Sequence, residues 1–298
     1  LNDTNRPDTW CVEGIARQLR YHLGRSQPDY NFFNSAPKYT LQAKSSVSSV
    51  RPVVGAFVCR EIEISEYLLE QIIQSQEKLC ENFGSKRRSV AIGVYNLDSI
   101  KFPVIYSAVS PRSRSFVPLG YDSEMNLEEI LSEHPKGRQY GGIISSYDLY
   151  PLLQDSKGDI LSFPPIINSR LVGEVTHSSR NLFIEATGDD LQKVSLALSI
   201  LAYNLADRGG AIERVEVCYE SPLDGQSALV FPMCLDNEIA VSHQLFEAVL
   251  GERLEASQVQ RWLSLYGCDV TCSGSEYQVR TQHYRLDYLH PIDVVEDF

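Results

Sequence analysis

The stretch from Asn181 to Tyr219 constrains this chain most. Asn181 to Thr187 reads as a strand, and Asp189 or Asp190 stands where it caps a long apolar helix running to Asp207. Gly209-Gly210 ends that helix, and Ile212 to Tyr219 returns as a strand. Further strands are predicted upstream at Pro52 to Ile64, Ser89 to Asn96 and Phe102 to Ala108. Between them Ser65 caps a helix whose Leu68, Leu69, Ile72, Ile73, Leu79, Cys80 and Phe83 share one face, stopped by Gly84. Asn126-Leu-Glu-Glu129 reads as a capping box, and Leu152 to Gln154 and Asp159 to Phe163 flank a hairpin turn at Asp155-Ser-Lys-Gly158. The elements interleave without strict β-α-β regularity, so the fold class is α+β with a mixed sheet.

The ends differ in texture. The first residues look cut, and Leu1 to Arg6 lead through Pro7 and Asp8 into an amphipathic stretch, Trp10 to Leu19, with nothing of its own to pack against. Residues 25–50 show no sustained periodicity and read as a linker. Past Ser221-Pro222 two helices are predicted, Ser242 to Leu250 and Ser257 to Tyr266, then an alternating segment from Cys268 to Val279. That order fits a small winged-helix-like α+β module. Pro291 stands at the first position of a last helix that runs to Phe298. The expected divisions are therefore 1–50, 51–221 and 222–298. A length of 298 residues accommodates them.

Charge narrows the class of partner. Lys and Arg total 27 against 39 Asp and Glu, a net charge of −12. No basic face can dominate such a chain, which argues against a general DNA- or RNA-coating protein but leaves room for a pocket taking one end of a nucleic acid. The 7 cysteines are an odd set without a CxxC pair, so reduced thiols are expected rather than a disulfide framework or zinc ribbon. There is neither an apolar run of about 18 residues nor a basic-then-apolar leader, so no membrane span or signal peptide is expected. The expectation is a soluble, cytoplasmic protein.

Two polar constellations stand out. The first joins Leu161-Ser-Phe-Pro-Pro-Ile-Ile-Asn168 to Asn181-Leu-Phe-Ile-Glu-Ala-Thr-Gly188. Glu185 and Thr187 lie two apart on a strand, so they face the same side, which would otherwise be apolar. With Ser162 and Asn168 they supply donors and acceptors for a polar substrate and a water. The alternative is a satisfied polar pair at a strand end. The second constellation is acidic: Asp293, Glu296 and Asp297 at i, i+3 and i+4, with Asp287 just before them. Grouped carboxylates suit Mg²⁺, although acids in the first turn of a helix also simply complement its dipole. Three weaker candidates are His177 as a base, Cys218 as a nucleophile, and the basic runs Lys86-Arg87-Arg88 and Arg112/Arg114 as phosphate contacts. An exposed histidine, an unactivated thiol and a solvated basic surface are the respective alternatives.

Taken with these motifs, Asn5-Arg-Pro-Asp8, Val12-Glu-Gly-Ile-Ala16, Arg87-Arg-Ser-Val-Ala-Ile-Gly93, His134-Pro-Lys-Gly137 and His290-Pro-Ile-Asp-Val-Val-Glu-Asp297 make the chain resemble the phenylalanyl-tRNA synthetase β subunit of the archaeal/eukaryotic type. The resemblance runs in order over essentially the whole chain. It implies the tail of an N-terminal domain and linker (1–50), a tRNA-editing domain (51–221) and the start of a winged-helix-like module (222–298). It implies hydrolysis of tyrosine wrongly esterified to tRNA(Phe), with pocket residues Leu153, Ser162, Asn168, Glu185 and Thr187. One departure is Glu185, where relatives can carry Asp, a difference of one methylene in reach. The resemblance further implies that Asp287, Asp293, Glu296 and Asp297 belong to a Mg²⁺ shared with an α subunit, in a heterotetramer of two α and two β chains. Aminoacylation, with its ATP, would then belong to the full enzyme and not to this fragment. No DNA or membrane partner is implied. Two other readings remain: a tRNA- or partner-binding structural module without hydrolytic activity, and a freestanding editing factor.

Overall fold

The computed structural model of the chain describes residues 5–298. Residues 1–4 of the segment that leads into the amphipathic stretch lie outside the described residues. The chain forms two compact units, residues 5–29 together with Cys234–Phe298, and Tyr30–Met233. Its cuts fall at 29/30 and 233/234, where the sequence suggested divisions at 50/51 and 221/222.

The first unit opens with α1 (Val12–His22). The central unit carries β1 (Tyr39–Ala43), β2 (Val53–Arg60), α2 (Glu66–Lys78), β3 (Val90–Asn96), β4 (Val104–Val109), β5 (Ser115–Phe116) and β6 (Met125–Asn126). It continues through α3 (Leu127–Glu133), α4 (Pro135–Tyr140), β7 (Tyr150–Gln154), β8 (Ile160–Phe163), β9 (Ile167–Asn168) and α5 (Arg170–Gly173). It ends with β10 (Leu182–Gly188), α6 (Leu191–Asp207), β11 (Ala211–Leu223) and β12 (Gln226–Phe231). The chain then completes the first unit with β13 (Glu238–Ser242), α7 (His243–Leu250), α8 (Ala256–Leu265), β14 (Asp269–Ser273), β15 (Glu276–Arg280) and α9 (Pro291–Asp297).

The central unit is one mixed sheet in the order β3-β10-β2-β11-β1-β4-β7-β8-β9, with β12 added on β11. Strand β1 is parallel to both β11 and β4, and the other pairs are antiparallel. Helix α6, capped by Asp190 Oδ1 accepting from Lys193 N at 3.0 Å, is buried from Val194 to Leu205. It covers β2 and β10, where Leu198 reaches so near Gly55 that an added Cβ would stand 2.7 Å away. Each fully buried Leu or Phe in such a layer contributes about 1.5–3 kcal/mol. The expected linker is wrong at 39–43: Leu41 and Ala43 are buried in a strand at the middle of the sheet. Five residues are too few for an alternating pattern to show, and both partners of β1 come from far along the chain. The expected boundary after Ser221-Pro222 also moves. Strand β11 runs on to Leu223, and Asp224-Gly225, at φ +49° and +80°, turns it into β12. That Asp-Gly is a hairpin signal that the change in composition obscured.

In the first unit β13, β15 and β14 form a three-stranded antiparallel sheet beside α7, α8 and α9. Its core includes Val241, Phe246, Val259, Leu263, Tyr277, Val279 and Val294. The amphipathic stretch expected to lack a partner has one in this unit. Helix α1 packs on α8, Gln18 Nε2 donates to the Leu265 carbonyl at 3.1 Å, and the Arg17 guanidinium lies 4.5 Å from the Tyr284 ring. The Asn5-Arg-Pro-Asp8 motif makes its own clasp, with Arg6 Nε and Nη2 each 2.9 Å from an Asp8 carboxylate oxygen. Gly14 lets the Asp8 carbonyl lie against α1, where a Cβ would sit 1.7 Å from it. No helix among the described residues is long and apolar enough to cross a membrane, and Cys59, Cys80, Cys218, Cys268 and Cys272 are free thiols.

Candidate functional site

The site forms where the two ends of the sheet path meet. Strands β3 and β10 stand at one end and β8 and β9 at the other, yet Tyr95 Oη on β3 lies 2.8 Å from Ser162 Oγ on β8. Asn168 Nδ2 on β9 donates to the Val94 carbonyl at 3.4 Å across the same seam. Ser162 and Asn168 are direct partners in the β8–β9 ladder, so both side chains arrive together. Beside the seam is a cavity of about 370 Å³ whose lining includes Ser162, Asn168, Glu185, Ile92, Leu69 and Ile73. Its walls are mostly apolar. The apolar face expected for α2 is thus divided: Leu68 and Ile72 are buried, while Ile73 is 50% exposed and, like Leu69, borders the cavity.

Glu185 is the one buried carboxylate of that wall. On β10 it pairs with Ala56 of β2 and Gly93 of β3, and it is only 3% exposed. One oxygen, Oε1, accepts from Tyr95 Oη at 2.8 Å, whereas Oε2 is buried without a hydrogen-bond partner. Burial raises its pKa from 4.5 to about 7, against the opposing pull of the Tyr95 hydroxyl and the more distant Arg51 charge. An unpaired buried oxygen costs free energy that a ligand donor would recover.

Gly93 makes this arrangement possible. A Cβ there would fall 2.1 Å from Tyr95 Oη and 2.6 Å from Glu185 Oε1. Gly93→Ala is expected to push Tyr95 and Glu185 apart and cost about 1–3 kcal/mol, the usual cost of overpacking a core. Urea unfolding checks the cost, and an unchanged midpoint together with an unchanged Glu185 titration would refute it.

The other candidates fall elsewhere. Leu153 is fully buried in the ladder between Tyr106 and Ser162 and does not line the cavity. Thr187 is also fully buried, and its Oγ1 accepts from Arg51 Nε at 2.9 Å. Arg51 in turn donates to the carbonyls of Arg88 at 2.7 Å and Arg87 at 3.1 Å, so Thr187 supports the turn behind the wall. That turn runs Ser85-Lys86-Arg87 at φ +51°, +56° and +66°. It splits the basic run, leaving Lys86 and Arg88 exposed while Arg87 turns inward. Arg87 binds Glu77 at 2.9 Å and the carbonyls of Pro165 and Ile166 at 3.2 and 3.1 Å, and it lies over the Tyr140 ring. Lys136, from the His134-Pro-Lys-Gly motif, meets Glu77 at 3.4 Å and lines the cavity too. Arg112 is paired with Glu128, and His177 is exposed on a loop and does not line the cavity. The Cys218 thiol is pushed up by burial and by Glu216, which makes it a poor nucleophile.

The sequence patterns assigned no role to Tyr95, Gly93 or Arg51, and they offered Arg87 only as a phosphate contact or a solvated surface residue. A glycine inside a buried strand, two residues before a tyrosine on the same face, was the available signal of close approach.

The four terminal acids do not converge. Asp287 binds Arg285 in a bidentate pair at 2.9 and 2.5 Å, and Asp297 Oδ2 meets the same guanidinium at 2.6 Å. Asp293 Oδ2 accepts from the Leu289 and His290 amides at 2.7 Å each, capping α9. Among the described residues no group of three or more His, Cys, Asp or Glu is arranged to hold a metal. As arranged, these residues do not fit a Mg²⁺ site, because a guanidinium already supplies the positive charge.

Comparison with known proteins agrees with this architecture. Residues 239–298, most of the first unit, match the family described as the tRNA synthetase B5 domain. The chain is 37% identical to the crystal structure of an N-terminal fragment of the phenylalanyl-tRNA synthetase β subunit from Pyrococcus horikoshii, with a TM-score of 0.90 over 99% of this chain and 84% of that one. It is 39% identical over 99% of its length to the phenylalanine–tRNA ligase β subunit of Pyrococcus furiosus, and 37% identical over its full length to that of Borreliella burgdorferi ZS7. It covers 52% and 53% of those two sequences, so it spans about half the length of the curated relatives it matches. The likeness therefore lies with aminoacyl-tRNA synthetases, in fold as well as in sequence. The chain belongs to the phenylalanyl-tRNA synthetase β-subunit family.

Proposed function

We propose that the cavity of the central unit is an editing site that hydrolyses tyrosine esterified to tRNA(Phe). The observation that carries this reading is Glu185 Oε2, buried and unpartnered in a mostly apolar wall. Tyrosine and phenylalanine differ by one hydroxyl, which an apolar pocket separates poorly. A buried acceptor changes that: it pairs with the phenol of tyrosine and is left unsatisfied by phenylalanine, at about 1–3 kcal/mol. Hydrolysis adds one water across the ester, releasing tyrosine and restoring the terminal hydroxyl of the tRNA. Asn168, at the seam, offers an amide to hold the ester or the water. An aminoacyl ester is already activated, so holding it beside water provides much of the catalysis.

In this reading the tRNA and an α subunit are the partners, in a heterotetramer of two α and two β chains in the cytoplasm. Aminoacylation, with ATP and Mg²⁺, belongs to the whole enzyme. Incubating the chain with Tyr-tRNA(Phe) and Phe-tRNA(Phe) tests the proposal. Tyr-tRNA is expected to be deacylated at least tenfold faster. Equal rates, or none on either ester, would instead favour a non-catalytic tRNA- or partner-binding module.

A further inference from the structure

We propose that Tyr95 is the positioning residue of this pocket: clamped by Ser162, its hydroxyl holds Glu185 so that one carboxylate oxygen is left for a ligand. The kinetic arm of this inference rests on the editing reading, while its titration arm does not. Tyr95 is fully buried and does not line the cavity, so it acts through Glu185. Its oxygen lies 2.8 Å from both Ser162 Oγ and Glu185 Oε1. A phenol has one proton, and an ionised carboxylate has none to give. With Glu185 ionised, the direction is therefore fixed: Ser162 donates to Tyr95, and Tyr95 donates to Glu185.

The surroundings make the relay rigid. The Tyr95 ring packs at 5.9 Å from that of Phe183, which packs at 5.6 Å from Phe102. Gly93 leaves the space through which the hydroxyl reaches Oε1. Ser162 comes from the opposite end of the sheet path, so the relay also ties the seam beside the cavity. Oε1 is occupied by Tyr95 and Oε2 is left without a partner.

The other groups facing Glu185 are few. Arg51 and the Tyr106 hydroxyl act on it from behind the wall, and neither is hydrogen bonded to it. Glu77 of α2, Arg87, Lys136 of α4 and Glu174 line the cavity itself. Glu77 binds both Arg87 and Lys136, and Tyr95 is the only hydrogen-bond donor that meets the Glu185 carboxylate directly among the described residues.

The test is Tyr95→Phe in the full chain, with Glu185 titrated through its carboxyl band by isotope-edited infrared spectroscopy. In the unaltered chain burial pushes the carboxyl up to about 7. Loss of a donor to the charged form is expected to raise that midpoint by roughly one pH unit or more. The acid limb of Tyr-tRNA(Phe) deacylation should move up with it, with about a fivefold to tenfold loss at pH 7 that recovers as pH rises. The Tyr95→Phe/Glu185→Gln double variant should lose no more than Glu185→Gln alone. Ser162→Ala, which removes the clamp and keeps the donor, should shift the midpoint in the same direction by less. If Tyr95→Phe does not fold, the Ser162→Ala titration decides. A folded Tyr95→Phe chain with an unmoved midpoint, or activity reduced equally at every pH, would overturn the proposal. If the unaltered chain deacylates neither ester, the editing reading fails and the carboxyl titration still decides the role of Tyr95.

Discussion

Replacing Glu185 by Gln is expected to stabilise the central unit at pH 8 while removing the proposed preference for the tyrosyl ester. The two effects have one cause. Burial raises the folded-state pKa of Glu185 to about 7, above the ordinary 4.5 that applies when the chain is unfolded. A raised carboxyl pKa means that the folded state binds its proton more tightly, so the associated stability is fully present below pH 4.5. It is lost as pH rises towards and through 7. By pH 8 the buried charge costs about 3 kcal/mol. Gln keeps the shape and the bond to Tyr95 and removes the charge, so about 1–3 kcal/mol should be recovered at pH 8 and little at pH 5. Deacylation of Tyr-tRNA(Phe) should fall by roughly ten- to hundredfold, the value of a charge-assisted hydrogen bond to the phenol. Urea unfolding at the two pH values, followed by far-ultraviolet circular dichroism, measures the first effect. A stability loss of equal size at both would mark the carboxylate as a structural contact and nothing more.

The second large effect belongs to the other unit. The Arg285 side chain is 1% exposed, and it neutralises Asp287 at 4% and Asp297 at 20%. The guanidinium also faces the Tyr288 ring at 4.7 Å, and Tyr288 Oη donates to Asp297 Oδ2 at 2.6 Å. Removing one member of a buried ionic cluster leaves the others charged and unpaired, which costs about 3–5 kcal/mol. Arg285→Ala is therefore expected to lower the stability of this unit by that amount. Both tryptophans, Trp10 and Trp262, lie in it, so their fluorescence follows its unfolding selectively. Titration with Mg²⁺ provides a further check. The unaltered chain should show no site tighter than about millimolar, because Arg285 already occupies two of the carboxylates and Asp293 serves as a cap. Tight, stoichiometric binding by the isolated chain would show that the acids rearrange around a metal.

How far the sequence reached can be judged residue by residue. The caps were legible because they are local: Ser65, Asn126 with Glu129, and Asp190 each bind an amide within three residues. The hairpin at Asp155 was legible for the same reason, its Oδ1 accepting from Lys157 and Asp159. Helix α6 announced itself by apolar length between strands. By contrast β1 was hidden, since a five-residue strand with partners at 104–106 and 215–219 has no local signature. The placement of α1 was hidden as well, because its partner α8 lies more than 200 residues further on.

The site divides along the same line. Strand periodicity alone put Glu185 and Thr187 on one side of β10. It could not say that Arg51 would claim Thr187 while Tyr95 met Glu185, since both partners arrive from other strands or loops. Nor could it tell that three of the four C-terminal acids, Asp287, Asp293 and Asp297, would be taken up by Arg285 and a helix cap. Element types, caps and the polar residues on β10 were determined by the sequence itself, because they depend on neighbours within a few residues. The meeting of β3 with β8 and β9, the cavity beside that seam and the free oxygen of Glu185 were decided only by tertiary structure. They depend on how a long sheet curls until its two ends touch, which no local pattern records.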